Sequence, residues 1–308
     1  MRVVLGGSRM ALGPLPQFGL VMMAITIVLN SALSAQSLPT PESVLGFRPG
    51  ADFHLATYEE SLDYFQRLDA ASDRMMMMET GRTSEGRSWY IAVISTPENL
   101  ANLEQHKATA ARFADPASLT DEEARALAST AKAIVDVNGG LHATEVAGAQ
   151  HMIQLAYDLV AGEDRRTREI RENVITVLWP SLNPDGQTMV AEWYHSNLGT
   201  PYEIASLPRL YQKYVGHDNN RDAYMLNMVE SRVLARTWRE WEPQIIYVHH
   251  QTAPFPTRIW LPPFAEPIAR YTPPIMTREV NMIGMAIAQL LESRGQVGAT
   301  HMGTGFDA

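Results

Sequence analysis

The stretch "AIVDVNGGLHATEVAG", Ala133 to Gly148, sets the reading of everything around it. Its first five residues are apolar except for Asp136, a short run that suits a buried strand. A glycine-rich turn follows, in which His142 and Glu145 stand three residues apart. Gly139 and Gly140 permit a turn that aims side chains at i and i+3 toward one point. Alone, the pair does not separate half of a metal site from an ordinary polar turn.

Outward from this stretch, strands and helices alternate. A helix is expected over Glu145–Ala161, a strand over Val174–Trp179, a helix over Asp222–Trp241, a strand over Gln244–His249 and a helix near Thr277–Ser293. On the N-terminal side, Tyr58, Leu62, Phe65 and Leu68 repeat at helical spacing across Thr57–Ala71. Met75–Glu79 and Trp89–Ser95 read as two strands joined by a turn between Gly81 and Gly86. The run of four methionines is read as buried strand rather than a soft-metal site, because Met commonly fills core gaps. Alanine-rich helical sequence occupies Glu98–Phe113 and Asp121–Lys132. Such alternation predicts an α/β domain with a mixed, largely parallel sheet and helices on both faces. Ser37–Gly50 reads as a surface lead-in. Ser181–Asn220 shows no regular core element, and a connection of that length suits the rim of a cleft.

Composition narrows the chemistry. The 308 residues carry a formal charge of −9, which argues against nucleic-acid binding. Cysteine is absent, so any metal must be held by His, Asp and Glu, and no disulfide or cysteine nucleophile is available. At the N-terminus, Arg2 and Arg9 precede the apolar run Leu20–Leu29 and the small-residue stretch "NSALSA". That order reads as a secretory signal over residues 1–35, with cleavage after Ser34 or Ala35. A ten-residue run falls short of the roughly 20 needed to span a bilayer. The expected domain plan is a signal over 1–35, a lead-in over 36–50 and a catalytic-type domain over 51–308. The mature chain is expected in the periplasm or outside the cell, free of the membrane.

Ligands in open α/β sheets bind beyond the carboxyl ends of strands. Three such places stand out: His142 and Glu145 after "AIVDV", Asn183–Gly186 after "VITVLW", and His250 after "QIIYVH". Two imidazoles and one carboxylate from neighbouring strand ends would form a three-ligand zinc site with an open fourth position. Each piece also has a plainer reading. "NPDG" is a good β-turn, "DNNRD" a charged solvated turn, and a strand-end His-His pair a hydrogen-bonded core element.

Taken in order, "GRTSEGR", "GGLHATE", "NPDG", "DNNRD" and a strand-end histidine resemble the zinc carboxypeptidases of the funnelin type, from about Tyr58 onward. The 105 positions from Glu145 to His250 suit that family's spacing. The resemblance implies one zinc per chain, held by His142, Glu145 and a third ligand at Val248-His249-His250. The family's Asp-x-His pattern favours His250 there, with His249 as the alternative, and Val248 departs from it. Adjacent strand residues face opposite ways, so only one of the two histidines can ligate. Asp218 matches the carboxylate that orients the first zinc histidine, and Asn220 and Arg221 match the pair that grips the terminal carboxylate of a peptide substrate. Arg209 is a poor match in spacing for the family's oxyanion arginine, and His217 reads as structural.

The implied reaction is hydrolysis of C-terminal peptide bonds by zinc-activated water. The family's general-base glutamate lies farther past the third ligand than the 58 residues that follow His250. It is expected beyond Ala308, together with a closing strand and helix, and Glu266 lies too near His250 to replace it. The chain therefore reads as a C-terminally truncated member. A zinc deacylase or amidase acting on N-acyl amino acids or peptidoglycan stems would use the same ligands, and assays on blocked dipeptides and acyl amino acids separate the two. A non-catalytic zinc or peptide-binding domain is the remaining alternative, and the coding sequence downstream discriminates it.

Overall fold

The computed structural model describes residues 38–212, 215–251, 259–263 and 271–301. The expected signal segment and Glu266 lie outside the described residues. Among the described residues seven strands form, β1 (Met75–Arg82), β2 (Ser88–Ile94), β3 (Ala133–Gly139), β4 (Val174–Leu178), β5 (Ile245–His249), β6 (Ile259–Trp260) and β7 (Ala299–Thr300). The first five make one mixed sheet in the order β1-β2-β4-β3-β5. The β1–β2 and β2–β4 pairs are antiparallel, whereas β3 runs parallel to both β4 and β5.

Helices cover both faces, as expected for an α/β domain. They are α1 (Pro41–Leu45), α2 (Tyr58–Ala70), α3 (Pro97–Ala101), α4 (Leu103–Ala114), α5 (Asp121–Ala128), α6 (Ala147–Ala161), α7 (Arg165–Asn173), α8 (Pro184–Asn197), α9 (Val229–Trp241) and α10 (Pro274–Ser293). Period-2 alternation divides the strands between two cores. Ile91, Val93, Ile134, Ile175 and Val177 pack with Leu103 and Ala110 of α4 and with Val233 and Trp241 of α9. Ala92, Ile94 and Leu178 pack with Phe65 and Leu68 of α2 and with Met152 and Ile153 of α6. In the first core Trp89 and Trp179 are fully buried with ring centroids 4.9 Å apart. Truncating either to Ala removes a volume that typically costs about 3–5 kcal/mol.

Several expectations are corrected. Ser181–Asn220 contains α8, whose first turns are buried nearly all round. "NPDG" is a helix start rather than a β-turn. Asn183 accepts from Gly186 N–H as the cap, Pro184 takes the first helical position and Asp185 lies in the first turn. The helix at Asp222 begins only at Val229, because the Asp222 carboxylate takes the N–H groups of Asn227 and Met228 and Leu226 adopts φ +54°. The lead-in folds as α1, capped by Thr40 and ended by Gly46 at φ +79°, and Leu38, Val44, Leu45 and Phe47 pack on the second core. The methionine run is an edge strand whose residues alternate between faces, with Met75 buried and Met76 exposed.

Candidate metal centre

The sheet order creates the cleft. From β3 the chain crosses to β4 on one side, then passes back over β3 to place β5 on the other. Strand exits on either side of such a reversal leave a crevice at their carboxyl ends. His142 lies three residues past the end of β3 and His250 one residue past β5, and Gly139 and His249 are register partners.

The glycines of the turn do more than permit it. A Cβ at Gly139 would stand 2.3 Å from the Gly148 carbonyl oxygen, and one at Gly148 only 2.6 Å from Gly140 N. Gly140 itself sits at φ +74°, the left-handed region that glycine favours. The strand end and the start of α6 thus touch backbone to backbone. Two hydrogen bonds, Glu145 N–H to His142 O and Gly148 N–H to Glu145 O, both 2.9 Å, wind the intervening turn. From the other side, Asn183 and Asn219 both donate to the Leu141 carbonyl, at 3.2 and 2.6 Å. "NPDG" and "DNNRD" therefore clamp the residue just before His142.

The resulting constellation brings one donor atom each from His142, Glu145 and His250 within 4.8 Å of one another. His142 Nδ1 lies 2.8 Å from Glu145 Oε1, and His250 Nδ1 2.9 Å from Glu145 Oε2. The two imidazole centroids are 4.8 Å apart. His142 Nε2 meets Asp218 Oδ1 at 3.0 Å, so the ring is oriented through the nitrogen that faces away from Glu145. Burial would raise the Glu145 pKa, but hydrogen bonds from Gln251 N–H, His142 and His250 bring it below the ordinary value. Asp218 is likewise lowered: burial opposes, while Asn220 N–H, His142 and the charge of Arg221 favour the carboxylate. Two imidazoles and an ionised carboxylate with convergent donors form a set that suits a zinc ion.

The alternation of β5 separates the two histidines. His249 turns to the opposite face, where its Nδ1 lies 3.2 Å from His151 Nε2. Burial, with His151 and His250 adding to it, pushes its pKa down to about 4. Asn220 is half-buried, whereas Arg221 and Arg209 are exposed. His217 bonds the fully buried Asp222 at 2.9 Å and so braces the loop, matching its structural reading. "GRTSEGR" sits away from the cluster: Arg87 pairs with Asp185 at 2.9 Å, and Thr83 Oγ1 donates to the same carboxylate at 2.7 Å.

Two neighbours were not picked out from sequence. Gln251 N–H donates to Glu145 Oε2 at 2.9 Å, and its side-chain oxygen accepts from Ala147 N–H at 2.9 Å, supplying α6 with the cap that Val146 lacks. Tyr211 bonds Thr144 in the turn; burial, with Asp218 and Glu145 nearby, raises its pKa. Gln251 follows directly on His250, which was the available signal. Nothing local marks Tyr211.

No curated protein sequence aligns significantly with this chain. Among solved structures, carboxypeptidase A from Helicoverpa armigera superposes with TM-score 0.54 at 16% identity, covering 85% of this chain and 63% of that one. A metallo-carboxypeptidase from Burkholderia cenocepacia gives 0.55 at 13% identity, covering 82% and 54%. Thrombin activatable fibrinolysis inhibitor gives 0.56 at 12% identity, covering 86% and 64%. This chain thus spans less than two thirds of the length of each, and the likeness concerns fold. The sequence profile described as zinc carboxypeptidase matches residues 61–241, more than half of the chain. The chain belongs to the zinc carboxypeptidase family.

Proposed function

We propose that the chain is a zinc metallocarboxypeptidase that removes C-terminal residues from peptides. The observation that carries the reading is the convergence of His142, Glu145 and His250 donors within 4.8 Å, in a chain of this family. Under this reading those three residues hold one zinc per chain. Zinc at such a site supplies Lewis acidity toward a carbonyl and toward water. Asp218 fixes the tautomer and tilt of His142 through its Nε2. Arg221, with Asn220 beside it, receives the terminal carboxylate of the peptide: a planar guanidinium offers two parallel N–H donors to the two oxygens. That grip sets how far the last peptide bond lies from the His142–His250 pair, and fixed distance is a large part of catalysis by proximity. Glu145, held ionised by its three donors, stays a ligand rather than a proton carrier.

Metal content tests the reading. The purified chain, dialysed against zinc and then buffer, is expected to retain about one zinc, and His142→Ala, Glu145→Ala or His250→Ala to lose it. Stoichiometric zinc in the triple Ala variant would sink the assignment.

A further inference from the structure

The proposed carboxypeptidase site leaves a second pair of facing imidazoles unused. His151, in the second turn of α6, and His249, the last residue of β5, are half-buried on the face of β5 opposite His250. His249 Nδ1 lies 3.2 Å from His151 Nε2. The ring centroids are 4.4 Å apart with planes at 58°, close to the 4.8 Å and 48° of the His142–His250 pair.

The hydrogen bonding of His151 sets its tautomer. Its Nδ1 lies 2.8 Å from the Ala147 carbonyl oxygen. A carbonyl only accepts, so in the neutral ring Nδ1 carries the proton and Nε2 turns a lone pair toward His249. Histidines that ligate a metal commonly donate their other N–H in this way. Two imidazole nitrogens on one tetrahedral zinc stand about 3.3–3.4 Å apart, from the usual bond length and angle. The observed 3.2 Å is near that spacing and at the long limit of an ordinary hydrogen bond.

We propose that His151 and His249 form a second, weaker cation site, which takes a divalent transition-metal ion of the zinc type and staples α6 to β5. The proposal does not depend on the carboxypeptidase reading. An all-imidazole pair favours such an ion over magnesium or calcium, which prefer oxygen ligands. The one group of three or more His, Asp or Glu donors among the described residues is His142, Glu145 and His250. The His151–His249 pair thus offers two neutral ligands and leaves the remaining positions to water, so its ion is held less tightly. The ion would still matter to its neighbours. α6 starts two residues after Glu145, and β5 ends one residue before His250. A staple between them ties together the two segments that carry those donors.

The test is zinc uptake by the whole chain, measured twice: at equilibrium with micromolar free zinc, then after dialysis against buffer. The unmodified chain is expected to hold two zinc ions at equilibrium and to keep one on dialysis. His151→Gln is expected to hold one throughout. Filling the second site at tenfold excess over its Kd is expected to raise Tm by about 2–4 °C in the unmodified chain and not in the variant. Where the variant does not fold, crystals of the unmodified chain soaked in zinc are expected to show an anomalous peak between His151 Nε2 and His249 Nδ1. No second zinc even at millimolar free zinc, a second zinc retained by folded His151→Gln, or soaked crystals without a peak at the pair overturns the inference. A single zinc that dialysis removes and His151→Gln abolishes would support this site and sink the carboxypeptidase reading instead.

Discussion

Glu145 is the meeting point of the site, because one carboxylate receives His142, His250 and the Gln251 N–H. His142 and Glu145 were visible in sequence as a spacing, yet His-x-x-Glu occurs on any polar turn. What distinguishes this pair is a strand exit 105 residues away. Asp218 is the most informative position to perturb. It touches His142 at the nitrogen not turned toward Glu145, so its loss leaves the three proposed ligands in place while releasing the ring. Asp218→Ala is expected to weaken zinc about 10–100-fold without abolishing it, as measured by chelator competition. Unchanged affinity would show that Asp218 does not orient His142. The choice between His249 and His250 was open in sequence because both are imidazoles. It follows from strand alternation once the register of β5 on β3 is known.

The contact between β3 and α6 depends on backbone proximity, and the sequence signals it only as three glycines. Gly139→Ala would drive a Cβ to 2.3 Å from the Gly148 carbonyl, so the helix start must shift away from the strand end. The expected loss is about 1–3 kcal/mol, read as a lower urea midpoint, with His142 displaced and zinc affinity reduced as well. Wild-type stability in that variant would refute the close approach. Elements with an apolar stripe, such as α2 and α6, were legible because one face is buried. In α8 that signal is missing: Asp185, Gln187 and Thr188 are buried beside Met189 and Ala191, with Asp185 Oδ1, Gln187 Nε2 and Thr188 Oγ1 finding partners in α2 or the β1–β2 turn. Periodicity fails where polar side chains are buried by pairing. The start signal Asn-Pro-Asp was present all the same, and capping chemistry reads it as a helix.

Across the whole molecule the sheet is sealed by two cores, and Asp136 is the one carboxylate at the centre of β3, 1% exposed. Burial pushes its pKa up to about 6, against hydrogen bonds from Trp179 Nε1 at 2.7 Å and from Asn138. Trp238 Nε1 lies near the same carboxylate but outside hydrogen-bonding geometry. Below pH 3.8 the group is neutral folded or unfolded. Between pH 3.8 and about 6 the unfolded chain releases its proton and the folded chain keeps it, so this contribution to stability is lost as pH rises. The loss is on the order of 3 kcal/mol across that window. Asp136→Asn is expected to remove that component, so the variant gains relative to wild type in urea midpoints taken from pH 4 to pH 6.5. A pH-independent difference between the two would refute it.

What the sequence determined by itself was the α/β class, most strand and helix positions, and the set of residues able to bind metal. These follow from local periodicity, glycine placement and residue chemistry, which need no knowledge of neighbours. Tertiary structure alone decided which of His249 and His250 joins the cluster, that Gln251 caps α6, that Asn183 and Asn219 hold Leu141, and that α9 leaves a cavity beside His250. Those are distances between segments far apart in the chain. They are fixed by sheet order and register, and no local pattern encodes them.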